Sequence, residues 1–127
     1  MSADMKLALQ NNIKNRLRAI SIRQPYAEAI LRGEKVVEYR TRNTNVRGKV
    51  FIYAGSKILN NEIFEEYRVL KSGIIFGAII GTVEIMDSVK STKFPGWYDW
   101  ILINPQRLEK SLKPTNQPQP VFWYPQF

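Results

Sequence analysis

Three charged residues that could act together lie in the segment from Gly33 to Arg40, which reads Gly-Glu-Lys-Val-Val-Glu-Tyr-Arg. Glu38 and Arg40 are two residues apart, so on a β-strand their side chains would share one face, about 6.5 Å apart along the strand. Lys35 precedes this strand and can turn towards either face. A lysine, a carboxylate and a guanidinium that converge in a cleft can together hold a polar or anionic ligand.

The residue types leave three roles open for this trio. It could bind a base edge and its phosphate, with Glu38 accepting a hydrogen bond from an exocyclic amine and Lys35 or Arg40 holding the phosphate. It could instead form a salt bridge between Glu38 and Arg40 that fixes a helix against the sheet. It could also perform acid-base chemistry if burial removed the proton of Lys35 near neutral pH, which makes Lys35 and Glu38 the candidate catalytic residues.

The composition narrows any catalysis to lysine, carboxylates, hydroxyls and backbone groups, because the 127 residues include neither histidine nor cysteine. A thiol nucleophile, a Ser-His-Asp triad, an imidazole base, a thiolate zinc site and a disulfide are therefore excluded. No metal and no cofactor are expected. The longest uncharged apolar run, Ser72 to Val83, is shorter than the roughly 20 residues that cross a bilayer, and no export signal is visible. We therefore expect a cytoplasmic protein without a membrane partner.

The positive charge is concentrated in one third of the chain. Residues 14–57 hold 11 basic and three acidic residues, which accounts for the whole net charge of +8. A field of this kind favours a phosphate-bearing partner such as RNA or a nucleotide-like ligand, although solubility alone is the alternative. A protein-interaction module is a further alternative, which would show a large exposed apolar patch.

Other residues could extend a binding site around the trio. Arg23, Gln24 and Tyr26 lie at a predicted strand-to-helix turn, where free backbone N–H groups favour an anion unless the residues only cap the helix. Trp97, beside the turn Pro95-Gly96, could stack a base, whereas Trp100 and Tyr53 are expected in the core. The candidate ligand-binding residues are Arg23, Gln24, Tyr26, Lys35, Glu38, Arg40, Arg42, Arg47, Lys57 and Trp97.

Hydrophobic periodicity predicts an α+β fold with six strands and two main helices. The helices are predicted from Pro25 to Gly33 and from about Asn60 to Leu70, and Gly33 is placed to end the first in the left-handed conformation. The strands are predicted at residues 17–22, 36–41, 49–54, 74–87, 98–103 and 121–124. A small mixed β-barrel with the helices packed at its side is the most economical arrangement. Residues 1–16 are predicted to form a flexible arm, and residues 17–127 a single domain.

The segment from Ser21 to Arg40 resembles the ASCH family, whose mark is Gly-x-Lys-x-x-Glu-x-Arg after a helix. That pattern is complete here as Gly33, Lys35, Glu38 and Arg40. The strand Val50 to Lys57 and the late Tyr98 to Pro105 are also similar to a bacterial branch of this family. The resemblance spans roughly residues 17–124.

This resemblance implies a PUA-like barrel with a cleft between the barrel and the motif helix, and binding of RNA or a coregulatory role. Some bacterial members are enzymes: one branch hydrolyses N4-acylated cytidines with a Lys, a Thr and a Glu, and others cleave RNA. The present chain has Glu38 where that deacylating branch has its Thr. Thr41 follows three residues later, which predicts that it lies on the opposite strand face.

Overall fold

The computed structural model describes residues 17–127 of the protein, so the predicted arm at residues 1–16 lies outside the described residues. Six strands and two short helices form, as predicted. In chain order they are β1 (Ala19–Gln24), α1 (Tyr26–Leu31), β2 (Val37–Arg40), β3 (Gly48–Ile58), α2 (Asn61–Glu66), β4 (Ala78–Lys90), β5 (Tyr98–Leu112) and β6 (Phe122–Trp123).

All six strands belong to one mixed sheet with the order β2-β5-β4-β3-β1-β6. The β1–β3 pair is parallel and the other pairs are antiparallel. The predicted α+β class is confirmed, but the barrel is open, because its edge strands β2 and β6 are not hydrogen-bonded to each other. Strand β6 pairs with Ala19 and Ile20 at the start of β1. The later residues of β1 line the opening opposite β2, and these two strands run antiparallel to each other.

Contacts made by side chains, rather than a ladder of backbone hydrogen bonds, bridge this opening. Arg40 on β2 donates a hydrogen bond from Nη2 to the carbonyl oxygen of Ser21 on β1, at 3.0 Å. Trp100 on β5 stacks on Phe122 of β6, with ring centroids 5.3 Å apart and planes inclined by 13°. The two edges of the curved sheet are thus held near each other without a continuous strand ladder.

The core occupies both faces of β3, as the alternation of its side chains requires. Val50 and Ile52 point into the larger cluster, which includes Ile30 of α1 and Trp100. Phe51 and Tyr53 point into a second cluster, and Tyr53 meets Trp123 edge to face with centroids 5.3 Å apart. Trp100 is 1% exposed and Tyr53 is 8% exposed. Both were expected in the core, and this is confirmed.

Both helices end in a residue with left-handed backbone. Gly33 has φ +77° after α1, as predicted, and its N–H donates to the carbonyl of Ile30. After α2, Arg68 has φ 55°, its N–H donates to Glu65, and the next N–H donates to Phe64. This Schellman pattern ends α2 at Glu66. The helix is therefore shorter than predicted. Across the described residues, the helices are all too short or too polar to span a membrane.

Strand β5 continues well beyond its predicted end at Ile103 and reaches Leu112. Pro105, just beyond the predicted end, has no N–H to donate to a ladder. The β4–β5 register instead shifts between Thr82 and Glu84, which pair with Gln106 and Ile103. Asn104, with φ 52°, and Pro105 occupy this bulge, so the missing N–H is tolerated and the strand resumes beyond it.

Candidate functional site

The opening between β1 and β2 contains a pocket of about 810 Å³. Its walls combine residues of the two facing strands with the start of α1, the end of β3, the turn before β5 and the segment Pro118–Val121. The lining residues are Ser21, Ile22, Arg23, Tyr26, Glu38, Tyr39, Arg40, Thr41, Tyr53, Gly55, Ser56, Lys57, Leu59, Trp97, Pro118, Gln119, Pro120 and Val121.

Glu38 is the buried carboxylate of this pocket and is paired with two cations. Its side chain is 7% exposed, and its Oε2 accepts from Nη2 of Arg40 at 3.0 Å. Its Oε1 lies 3.4 Å from Nζ of Lys35. Two cations therefore compensate the burial of one carboxylate, and this arrangement holds the Glu38 side chain in one orientation.

Lys35 lies behind Glu38 and does not line the pocket. Its ammonium donates to the carbonyl of Val37 at 2.5 Å and faces the rings of Tyr26 and Tyr39, at 4.7 and 5.1 Å from their centroids. Burial lowers the pKa of Lys35 below its ordinary value of 10.5, against the opposing attraction of Glu38; Arg40 and Lys93 lower it further. Lys35 therefore reaches a bound ligand only through Glu38.

Arg40 is fixed on three sides. Besides Glu38 and the carbonyl of Ser21, its guanidinium lies 5.4 Å from the ring centroid of Trp100. The salt bridge considered as an alternative for this trio is thus present. It ties β2 to β1 rather than a helix to the sheet, and it leaves both Glu38 and Arg40 on the pocket wall.

Two cations line the pocket without a partner. Arg23 near the end of β1 and Lys57 near the end of β3 both have exposed side chains. Neither side chain makes a hydrogen bond or ion pair with any group in residues 17–127. The parallel β1–β3 pairing, with Arg23 opposite Gly55, brings these two side chains to the same end of the pocket.

Aromatic rings also line the pocket. Tyr26 meets Tyr67 edge to face at 5.8 Å. Burial raises the pKa of Tyr26, and the charges of Glu66 and Glu38 add to this, so its phenol stays protonated and able to donate at neutral pH. Trp97, on the same wall, is 42% exposed. Its indole is the only tryptophan ring in the described pocket wall.

Besides Lys35, three residues predicted to bind a ligand lie off the pocket wall. Gln24 is fully buried, and its side chain accepts from the N–H of Glu28 at 2.9 Å and donates to the carbonyl of Ile75 at 3.1 Å. It therefore has the capping role that was its alternative. Arg47 donates to the carbonyl of Thr44 and pairs with Asp87 at 3.3 Å. Arg42 is exposed and does not line the pocket.

Thr41 lies on the pocket wall together with Glu38. Tyr39, which alternates with Glu38 along β2, lines the same pocket, so a predicted position on the opposite strand face does not keep Thr41 off the wall. The strand ends at Arg40, one residue before Thr41. A hydroxyl therefore shares the pocket wall with the carboxylate and guanidinium of the motif.

The segment Pro118–Val121 also forms part of the wall, although the sequence indicated only a surface connection. It is held to β1 through Ser21, whose N–H donates to the carbonyl of Val121 and whose Oγ donates to the carbonyl of Gln119. Ser21 Oγ accepts in turn from the indole N–H of Trp123 at 3.1 Å. A lone serine in a strand gives no sequence signal for such a role.

The described acidic residues nowhere gather in a group of three that could hold a metal ion. The pocket wall itself offers several groups that could bind or react with a ligand. These are a fixed carboxylate and guanidinium, two unpaired cations, a threonine hydroxyl, tyrosine hydroxyls and an indole ring.

The family of this chain follows from its similarity to known proteins. No curated protein matches the chain significantly. The model of the ASCH domain matches residues 20–118, which is most of the 127-residue chain and includes both strands that form the pocket. The resemblance inferred from the motif of Gly33, Lys35, Glu38 and Arg40 is confirmed. The chain belongs to the ASCH domain family.

Proposed function

We propose that the protein binds RNA, or a nucleotide-like ligand, in the pocket between β1 and β2. One observation carries the proposal: unpaired Arg23 and Lys57 line the same pocket as the fixed Glu38–Arg40 pair and several aromatic rings. A nucleotide combines an anionic phosphate, a polar base edge and an apolar base face, and the pocket offers a partner for each.

The polar edge of the base fits beside the Glu38–Arg40 pair. A carboxylate has about four lone-pair sites, so Glu38 can accept a hydrogen bond from a base amine while it keeps Lys35 and Arg40. Because both neighbours already fix the carboxylate, little side-chain entropy is lost when the ligand arrives. Arg40 presents guanidinium donors beside it for a base carbonyl or ring nitrogen.

The phosphate group of the ligand fits beside Arg23 and Lys57. These side chains are exposed and have no acidic partner among the described residues, so a phosphate would not have to displace an existing ion pair. Each such contact releases counterions from the nucleic acid, and affinity then falls steeply with salt.

Fluorescence anisotropy with labelled single-stranded RNA tests the proposal at salt concentrations between about 50 and 200 mM. We expect affinity to fall steeply over this range for the wild type. Arg23→Gln and Lys57→Gln should each weaken binding and reduce the salt slope by about one. Lys110→Gln removes the same charge from an exposed position of β5 outside the pocket and serves as the matched control.

Undetectable binding at the lowest salt would overturn the proposal, as would equal losses in the pocket variants and in Lys110→Gln. Binding of a protein partner that responds little to salt, in place of RNA, would favour an interaction module instead.

A hydrolase acting on RNA or on a modified nucleoside is the second candidate, and one observation favours it. Lys35 has a lowered pKa and lies 3.4 Å from Glu38, which lines the pocket and could activate a water molecule. Incubation with RNA and with acylated cytidines tests this. Turnover that Lys35→Met abolishes while the fold survives would support it, and the absence of product from the wild type would contradict it.

A further inference from the structure

The turn between β4 and β5 carries two exposed aromatic rings, of which only one lies on the pocket wall. Phe94 and Trp97 are 40% and 42% exposed, with ring centroids 6.1 Å apart and planes inclined by 52°. Trp97 lines the pocket, whereas Phe94 lies outside it. An exposed aromatic surface therefore extends from Trp97 on the pocket wall to Phe94 outside the pocket.

This turn is held in one shape by its own hydrogen bonds. The N–H of Trp97 donates to the carbonyl of Phe94 at 3.0 Å, across Pro95 and a Gly96 with φ +84°, which is the pattern of a type II turn. Ser91 Oγ accepts from the N–H groups of Lys93 and Phe94, at 3.2 and 3.0 Å. The two rings are therefore presented with little flexibility to lose on binding.

Phe94 is also anchored to the motif strand. Its ring meets Tyr39 of β2 edge to face at 4.9 Å. The ammonium of Lys93 lies 5.4 Å from the centroids of both rings. No acidic side chain in residues 17–127 pairs with Lys93. A positive charge therefore stands beside the exposed apolar faces.

We propose that the cluster Lys93, Phe94 and Trp97 holds a second nucleotide of the ligand, so that the ligand is a single-stranded RNA rather than a free nucleotide. This rests on the proposed function of the pocket. Stacking on aromatic rings next to a lysine is the usual way in which proteins hold unpaired bases and their backbone. A chain that leaves the pocket past Trp97 meets Phe94 next, with Lys93 placed for its phosphate.

The test compares a uridine tetranucleotide with uridine 5′-monophosphate as probes of the full chain, by titration calorimetry. The wild type should bind the tetranucleotide at least about tenfold more tightly, in line with the contribution of one stacked base. Phe94→Leu and Lys93→Gln should each weaken tetranucleotide binding about three- to tenfold and leave monophosphate binding unchanged. Phe94→Tyr, which keeps a ring, should retain the wild-type affinity for the tetranucleotide.

Phe76→Leu is the matched control, since Phe76 is 39% exposed but belongs to neither the pocket nor the cluster. Its affinities should equal those of the wild type. Equal affinity of the wild type for both probes, or tetranucleotide binding that Phe94→Leu does not change, would overturn this inference while the proposed function stands. If the wild type binds neither probe, the proposed function falls and the inference falls with it.

Discussion

At the scale of single residues, the central feature is a buried carboxylate shared by two cations. The Nη2 group of Arg40 also donates to the backbone of β1, whereas Lys35 lies between two tyrosine rings with little access to solvent. Removing Glu38 would leave the buried Lys35 and the partly buried Arg40 without their carboxylate, so this residue maintains the shape of the pocket as well as its charge.

The burial of Lys35 predicts a particular pH dependence of stability. Its folded-state pKa lies below the ordinary value of 10.5, chiefly because of burial, so the unfolded chain binds this proton more tightly. Stability contributed by Lys35 is therefore lowest below the folded-state pKa and rises as the pH approaches 10.5. The free energy of unfolding of the wild type, relative to Lys35→Met, should rise between about pH 7 and about pH 10.

Urea unfolding across that pH range measures this difference. Lys110→Met removes a lysine from an exposed position and should show no comparable rise. A wild-type advantage that falls with pH would mean that the attraction of Glu38 outweighs burial and that Lys35 is held in its charged form.

The residue spacing predicted part of this site. Glu38 and Arg40 line the same pocket, as their separation along a strand indicated. The interior position of Lys35 was left open, because a residue just before a strand can turn either way. Thr41 lines the pocket just beyond the end of β2, and this end depends on where the pairing with β5 stops, which periodicity alone does not reveal.

At the scale of elements, helix α1 is fixed by close packing against a bend in β4. A Cβ added at Gly81 would lie within 2.4 Å of Leu31 Cδ2 and 2.5 Å from the backbone carbonyl of Gln106. The glycine therefore allows the helix and the strand β5 to approach β4 from two sides.

Gly81→Ala should destabilise the protein by about 1–3 kcal/mol, because the overlap involves a backbone atom that cannot move without disturbing the sheet. Urea unfolding provides the measurement. Gly55→Ala is the control, since the nearest atom to its added Cβ is 3.8 Å away, and its free energy of unfolding should change by much less. Equal effects of the two substitutions would contradict the packing argument.

An ion-pair cluster also joins α1 to β5. Glu28 accepts from Arg32 at 2.8 Å and from Nη1 of Arg107 at 2.9 Å. Burial alone would raise the pKa of Glu28, but the hydrogen bonds and charges of Arg107 and Arg32 outweigh it, so the pKa lies below the ordinary 4.5. The cluster therefore stabilises the fold above pH 4.5, and this contribution is lost as the pH falls through the folded-state pKa.

Glu28→Gln should lower the free energy of unfolding at pH 7 by about 1 kcal/mol, a modest value because the arginines are partly exposed to solvent. The gap between wild type and variant should close as the pH falls below 4.5. Glu109→Gln, at an exposed position of β5, is the control for chemical denaturation at both pH values. A gap that widens in acid would show that the pairs do not hold Glu28 ionised.

The number and kind of helices and strands were predictable from the sequence, but the residues at which several of them end were not. Gly33 carried its own signal, because glycine readily adopts the left-handed conformation that ends a helix. Arg68 adopts the same conformation without any such signal, and α2 stops early as a result. The alternation that predicted β5 stops at Ile103, and a bulge at Asn104 and Pro105 lets the strand continue beyond it.

At the scale of the whole molecule, the open curved sheet brings the motif strand together with segments that are distant in sequence, and these form one pocket. The pocket wall includes residues of β1, β2 and β3, the turn before β5 and a C-terminal segment. Of these, β1 and β2 are near the motif in sequence, whereas the others are distant. Pairing across such distances depends on the three-dimensional fold, so the roles of Ser21 and Pro118–Val121 were beyond sequence reasoning. The charge asymmetry was predictable, and three of its cations, Arg23, Arg40 and Lys57, line the pocket.

The most direct test of the central claim is a chemical-shift map of the ¹⁵N-labelled protein titrated with a single-stranded tetraribonucleotide at low salt. We predict shifts that are concentrated at the backbone amides of Arg23, Thr41 and Lys57 and at the indole N–H of Trp97, all of which line the pocket. The amide of Lys110, outside the pocket, should not move. An unchanged spectrum, or shifts confined to residues away from the opening between β1 and β2, would contradict the account.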